Sequence, residues 1–363
     1  MGTRATTGQR AAGFHPRSDA ATHPVGVSGT GGMSVRTLVI QPLPGIGDMV
    51  WHLPYIHAVA AQAPDGRVDV LTKPRSRADQ LLADDPAVRE VLWLDRKAAH
   101  RGVAGLLRLA AELRRRRYES VWVFHNSLRY ALAVYLAGIR QRHGFGGRAR
   151  SLFYNRLVRF GRRELRLHPI EKGRRFLESA GVKDIEAVPV LPVSPFLRAR
   201  MRSACPDCPG PWVGVGIGSS EPFKQWGGDR FAALIRRLHD THGGSFFLLG
   251  GPAEADLADS ILAATSGIPV VPVLERPIRD LVGLIAECDL YVGNDTGFLN
   301  IAAALDVPAV GLFGGSPPLG HDPRILPVLP EDGSRPWYGS PFMDRISVDR
   351  VVAVAGERLE SLR

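Results

Sequence analysis

Residues 290–314 read LYVGNDTGFLNIAAALDVPAVGLFG. The stretch opens as an apolar run and breaks at Asn-Asp-Thr-Gly. It continues with the spacing of an Ala-rich helix and returns to a second apolar run. Two short apolar runs joined through a helix are the unit of a parallel sheet with helices on its faces, since buried strands read as near-continuous apolar segments. Ligands of such sheets bind beyond the carboxyl ends of the strands. The polar junction therefore sits where chemistry is placed, and a plain helix cap is the competing explanation for Asp295. The N–H groups of Thr296 and Gly297 open the helix. They carry its partial positive charge and suit an anion such as a phosphate. Asp295 would repel a phosphate and suits a sugar hydroxyl.

The same alternation extends in both directions. From Arg36 it runs strand (RTLVIQPL), helix (GDMVWHLPYIHAVAAQ), strand (RVDVLTK), helix (SRADQLLADD), strand (VREVLWLD), helix (GVAGLLRLAAELRRRR) and strand (SVWVFHN). After a proline-rich stretch at 188–212 it restarts with WVGVGIG and DRFAALIRRLHDTHG, then SFFLLGG, AEADLADSILAAT, IPVVPVL and IRDLVGLIAEC. Four segments are expected. These are a disordered extension over 1–35, a first Rossmann-like domain over 36–205, a second over 206–345, and a closing helix over 346–363. The extension lacks the apolar core of a secretory signal and contains Met33, an alternative start.

The 363 residues carry a formal net charge of +10 with a pI near 10.0. Most of it comes from arginine, which favours bidentate contacts to phosphate or carboxylate. Residues 140–175 hold twelve Arg or Lys and only two acidic residues. No nucleic-acid motif or aromatic stacking platform accompanies them, so a nucleic-acid partner is not expected. An anionic glycan, an acidic membrane surface or a solvated arginine face each accounts for the belt. No apolar run nears the ~20 residues of a membrane span. Cys205 and Cys208 form C-x-x-C, but no second ligand pair for zinc lies nearby, and the proline-rich context reads as a linker. Three cysteines make no disulfide framework, which points to a reducing cytosol.

Three further junctions pair with the first. In QPLPGIGDMVWHLP (41–54), Gly45 and Gly47 permit a tight turn, and Asp48 opens a helix either as a cap or as a carboxylate able to take a proton. The dinucleotide fingerprint is absent, because Trp51 and His52 follow where its third glycine would fall, so a nicotinamide dehydrogenase is disfavoured. In GVGIGSSEPFKQW (214–226), Ser219, Ser220 and Lys224 offer two hydroxyls and an ammonium to a diphosphate. In LLGGPAEADLADS (248–260), Glu254 is either a first-turn acid or a clamp for ribose hydroxyls.

In that order, PGIGDMVWHLPYI, GSSEPFKQW, GGPAEAD and GNDTGFLNIAAALDVPAVGLFG resemble the landmarks of glycosyltransferase family 9, the ADP-heptose:lipopolysaccharide heptosyltransferases. The similarity covers about residues 36 to 360. It implies an α/β fold of GT-B type, with two Rossmann-like domains whose parallel sheets face a central cleft, the acceptor mostly on the first domain and the nucleotide sugar on the second. It also implies a final helix that crosses back, inversion at the anomeric centre, and no metal or cofactor beyond a nucleotide-sugar donor, here ADP-heptose. Asp48 matches the general base, Ser219 and Ser220 the phosphate contacts, Lys224 the lysine near the donor, and Glu254 the ribose acid. Asp295 matches the sugar-hydroxyl ligand, with Thr296 and Gly297 at the diphosphate. The family often has His three residues past the D-T-G glycine. Here that donor-site position is Asn300, and Trp51-His52 beside Asp48 is a second departure. The acceptor implied is an anionic glycolipid of the lipopolysaccharide core or a related glycan. The place implied is the cytoplasm, peripherally on the inner membrane. The alternatives are a GT-B transferase with another donor or acceptor, and a homologue that binds glycan or nucleotide without turnover.

Overall fold

The structure is a computed structural model and describes residues 35–361 apart from 187 and 319. The expected 1–35 extension therefore lies outside the described residues except for Val35. Among the described residues the chain builds two six-stranded sheets, with every recorded strand pairing parallel. The first contains β1 (Arg36–Ile40), β2 (Val68–Thr72), β3 (Val88–Trp93), β4 (Tyr118–Val123), β5 (Gln141–Gly146) and β6 (Arg156–Arg159), in the order β3-β2-β1-β4-β5-β6. The second contains β7 (Trp212–Gly216), β8 (Ser245–Leu249), β9 (Val270–Pro272), β10 (Leu290–Asn294), β11 (Ala309–Leu312) and β12 (Ile325–Val328), in the order β12-β11-β10-β7-β8-β9. Numbered from its own first strand, each sheet has the doubly wound order 3-2-1-4-5-6. The order in which strands are added across the sheet switches sides at β1/β4 in one and at β7/β10 in the other, where such folds open a crevice for ligand.

The helices of the first half are α1 (Ile46–Trp51), α2 (Leu53–Gln62), α3 (Ala78–Leu81), α4 (Gly102–Arg115), α5 (Leu128–Leu136) and α6 (Pro169–Ser179). Those that follow are α7 (Pro195–Ser203), α8 (Gly228–His242), α9 (Ala255–Ala264), α10 (Ile278–Ile285), α11 (Gly297–Ala304) and α12 (Val348–Glu360). The single helix expected over GDMVWHLPYIHAVAAQ is two, broken at His52, because Pro54 has no N–H to continue the ladder and is accepted only in the first turn of α2. The helix expected over SRADQLLADD is the single turn α3. Strands β5 and β6 extend the first sheet into the irregular basic region.

Two expectations are corrected. The closing helix does not cross back: Val351, Ala355 and Leu359 of α12 are buried with Phe231, Leu234 and Leu238 of α8 and with Val292 and Val310 of the second sheet. Its apolar stripe already has a complete partner there. Cys205 and Cys208 are joined as a disulfide, in a turn that brings their Cα atoms to 5.4 Å and hydrogen-bonds the Cys208 N–H to the Cys205 carbonyl. Helix α7 precedes the expected boundary at 205 yet packs on α10 of the second half, with Leu197 and Met201 against the bare face of Gly283.

The opening stretch shows why its strand ends where it does. All five residues of β10 are buried. Asn294 donates from Nδ2 to the Ile217 carbonyl at 3.0 Å and accepts from the Trp226 N–H at 3.3 Å, which ties the ends of β10 and β7 to the loop carrying Lys224. Helix α11 ends at Ala304 with Leu305 as its cap, and the chain turns off at Asp306, whose φ of 62° is left-handed, just before the Val307-Pro308 step that must be extended. Close strand packing beneath the loop depends on Gly216, since a Cβ there would stand 1.8 Å from the Tyr291 hydroxyl. Gly216→Ala should lower stability by about 1–3 kcal/mol, the usual cost of overpacking a full core. Denaturant unfolding checks this, and Tyr291→Phe in the same chain should recover part of the loss by removing the clashing oxygen.

Candidate functional site

The loops that follow β1, β7, β8 and β10 converge at the two switch points. Each residue singled out in the sequence lies on one of them. Gly45 precedes α1 and Asp48 lies in its first turn, where Asp48 Oδ2 accepts the Gly45 N–H at 2.8 Å. The backbone of Asp48 is fixed as well. Its carbonyl accepts from buried His52 Nδ1 at 2.7 Å and from Gln41 Nε2 at 3.3 Å. Burial lowers the His52 pKa to about 4, so the ring is neutral and donates through Nδ1–H. Burial pushes the Asp48 carboxyl above its ordinary 3.8, against the Gly45 N–H and the positive fields of Lys73 and Arg75, which pull it down. A carboxylate held partly out of water is a better proton acceptor than one on the surface.

Across the cleft, Lys224 Nζ lies 3.0 Å from Asp295 Oδ2 and 3.2 Å from Glu221 Oε2. Burial opposes the charge on Lys224, but Asp295 and then Glu221 outweigh it and raise its pKa, so it stays an ammonium. Ser316 Oγ donates to the same Asp295 Oδ2 at 2.5 Å. Asp295 thus does not cap α11. Thr296 is the N-cap residue, makes no side-chain cap bond, and has its Oγ1 buried. The start of α11 therefore presents backbone N–H groups beside a lysine, the donor set an anion needs.

Ser219 closes its own turn, donating to the Glu221 carbonyl at 2.9 Å and accepting the Glu221 N–H at 3.1 Å, while Ser220 is exposed. Glu254 Oε2 accepts the Gly251 N–H at 2.7 Å and borders Gly218 and Gly250, so it faces the end of β7 while acting as a cap. The two domains touch at the N-terminal turns of α1 and α11. A Cβ on Gly47 would stand 3.3 Å from Asn300 Nδ2, and one on Gly297 would stand 3.1 Å from Ile46 Cβ. Asn300 is 5% exposed, and both ends of its amide are engaged. Oδ1 accepts from Trp51 Nε1 at 2.7 Å, and Nδ2 donates to the Thr296 carbonyl at 3.0 Å. Its expected contact to the donor must share those atoms.

Sequence reasoning missed Glu221, Ser316 and Asn294. Glu221 carries a signal, standing three residues before Lys224. Ser316 carries none, since its loop follows β11 and only the fold brings it to Asp295. Among the described residues no three His, Cys, Asp or Glu side chains gather as a metal site, and no helix is long and apolar enough to cross a membrane.

Comparisons with known proteins agree with this architecture. The sequence profile of glycosyltransferase family 9 (heptosyltransferase) matches residues 106–324. Lipopolysaccharide heptosyltransferase 2 of Salmonella typhimurium is 28% identical over 320 residues, covering 81% of this chain and 88% of that protein. The solved ADP-heptose lipopolysaccharide heptosyltransferase II of Escherichia coli superposes with a TM-score of 0.72 at 23% identity, over 90% of this chain and 99% of that one. The family 9 glycosyltransferase of Veillonella parvula superposes with a TM-score of 0.75 at 19% identity, over 92% of this chain and 100% of that one. With two doubly wound domains meeting at a polar junction and a profile spanning more than half the sequence, the chain belongs to glycosyltransferase family 9, has the GT-B fold and is a glycosyltransferase.

Proposed function

We propose that the protein transfers heptose from ADP-heptose to an acceptor of the lipopolysaccharide core or a related surface glycan, with inversion and without a metal. One observation carries the reading: Lys224, the N–H groups at the start of α11 and Asp295 stand together on one domain, and Asp48 stands on the other domain where the two touch. The names of the relatives supply the sugar and the acceptor class. In this reading the acceptor hydroxyl gives its proton to Asp48 while its oxygen attacks the anomeric carbon from the face opposite the diphosphate. The bond from that carbon to the diphosphate oxygen breaks, and ADP leaves with the electron pair. Lys224 and the helix N–H groups stabilise the charge that develops on the leaving group, the work a divalent cation does elsewhere. Ser219 and Ser220 lie at the phosphates, Glu254 at the ribose and Asp295 at a hydroxyl of the sugar.

We place the enzyme in the cytoplasm at the inner face of the inner membrane. Support comes from the edge strand β6 and its flank, where Arg148, Arg156, Arg159, Arg162, Arg163 and Arg166 are exposed. Each basic residue near an anionic surface contributes about 1 kcal/mol. Calorimetry with ADP, UDP, GDP and NAD, without metal and then with magnesium, tests the donor. ADP should bind selectively and with an affinity that magnesium leaves unchanged. Preference for UDP or GDP would keep the fold and replace the donor, and binding that required magnesium would overturn the metal-free mechanism.

A further inference from the structure

Trp51 and Asn300 are 249 residues apart and lie in different domains. The structure joins them. Trp51 Nε1 donates to Asn300 Oδ1 at 2.7 Å, and the other end of the Asn300 amide is tied to the Thr296 carbonyl at 3.0 Å. The chain of contacts thus runs from the indole of the acceptor-side helix to the backbone of the residue that opens α11. Trp51 is also gripped on its edges, by His168 of the first half at 5.0 Å and by His321 of the second at 5.8 Å between ring centroids. Trp51 also lines a cavity of about 480 Å³, with Tyr55, His168 and Ile170 from one half and His321 and Pro323 from the other. Asp48 is three residues before Trp51, one turn back along α1. Helices this short have little stability of their own, so the orientation of α1 depends on what its ends touch.

We propose that Trp51 and Asn300 form a latch across the cleft, with Trp51 a positioning residue. When the domains close, Asn300 captures the indole, and this bond, added to the packing of Ile46 and Gly47 on Gly297 and Asn300, sets Asp48 in line with the start of α11 and completes the cavity wall at the acceptor side. Among the described residues the indole N–H has Asn300 Oδ1 as its acceptor, so opening the cleft or removing the amide leaves a polar group to be resolvated. The kinetic part of the inference rests on the transferase reading above, whereas the closure part does not.

Hydrogen exchange on the full chain, free and with ADP, tests the latch directly. Trp51→Phe keeps an aromatic ring at this position and removes the indole donor together with the five-membered ring that carries it. It should raise exchange over 296–301, in the other domain, by about tenfold, the shift expected for one lost hydrogen bond in a two-state equilibrium. Asn300→Ala should do the same over 45–51, and the double variant should add nothing further. Asn300→Asp keeps an oxygen for the indole and should leave 45–51 protected, which separates loss of the latch from general damage. With donor and acceptor, Trp51→Phe should lower kcat about tenfold while the KM for the nucleotide sugar and the Kd for ADP move less than about threefold. Changes confined to each variant's own segment, or effects that sum in the double variant, would overturn the latch. Absence of turnover or of ADP binding in the unmodified protein would instead overturn the donor assignment, with the exchange result still deciding the latch.

Discussion

Asp48→Asn should reduce kcat by about 10²–10⁴-fold, the usual contribution of a positioned base, with ADP affinity nearly unchanged. The substitution is nearly isosteric, and the amide oxygen can still accept the Gly45 N–H that Asp48 holds at 2.8 Å. What it removes is the ability to take a proton. Stability should not fall with it. Burial raises the Asp48 pKa in the folded protein, so the folded state favours the protonated form, and the contribution of this group to stability declines as pH rises through the raised pKa. A neutral amide escapes that cost, and the melting temperature near neutral pH should be equal or higher. The activity profile carries the same sign: the base works deprotonated, so kcat rises with pH through a limb displaced upward from the ordinary 3.8. Persistent turnover in Asp48→Asn would reduce Asp48 to a helix cap.

Lys224→Ala should weaken ADP binding by about 10- to 100-fold, the range for a charge-assisted contact to an anion in a partly sheltered site. Calorimetry on the purified variant reads it. Two effects act together. The diphosphate loses its ammonium, and Asp295 loses its 3.0 Å partner, which leaves its carboxylate with Ser316 alone and facing an incoming anion. Lys224→Arg should restore less than full affinity, because a planar fork cannot reproduce the geometry of a point charge held between Asp295 and Glu221. An affinity unchanged in Lys224→Ala would move the diphosphate away from this loop and leave the lysine as a surface ion pair.

The sequence of this protein determined its architecture through patterns that are local. Continuous apolar runs such as LYVGN are affordable only where both faces of a strand are covered, so they announced parallel sheets without any tertiary information. The glycine and carboxylate junctions at Asp48, Glu254 and Asp295 were legible because they interrupt those runs at strand ends, and the fold brings ligands to strand ends. Local pattern could not say which partner each polar group would choose. Asp295 reads equally well as a helix cap or as a sugar ligand, and packing decided against the cap by delivering Lys224 and Ser316 from two other loops. The closing helix reads as an amphipathic stripe that any apolar surface could cover, and the surface available was that of α8 and the second sheet. The bond from Trp51 to Asn300 lay furthest from the sequence. Each residue could be noted as a departure by itself, but a hydrogen bond between side chains 249 positions apart is created only when the two domains come together in the tertiary structure.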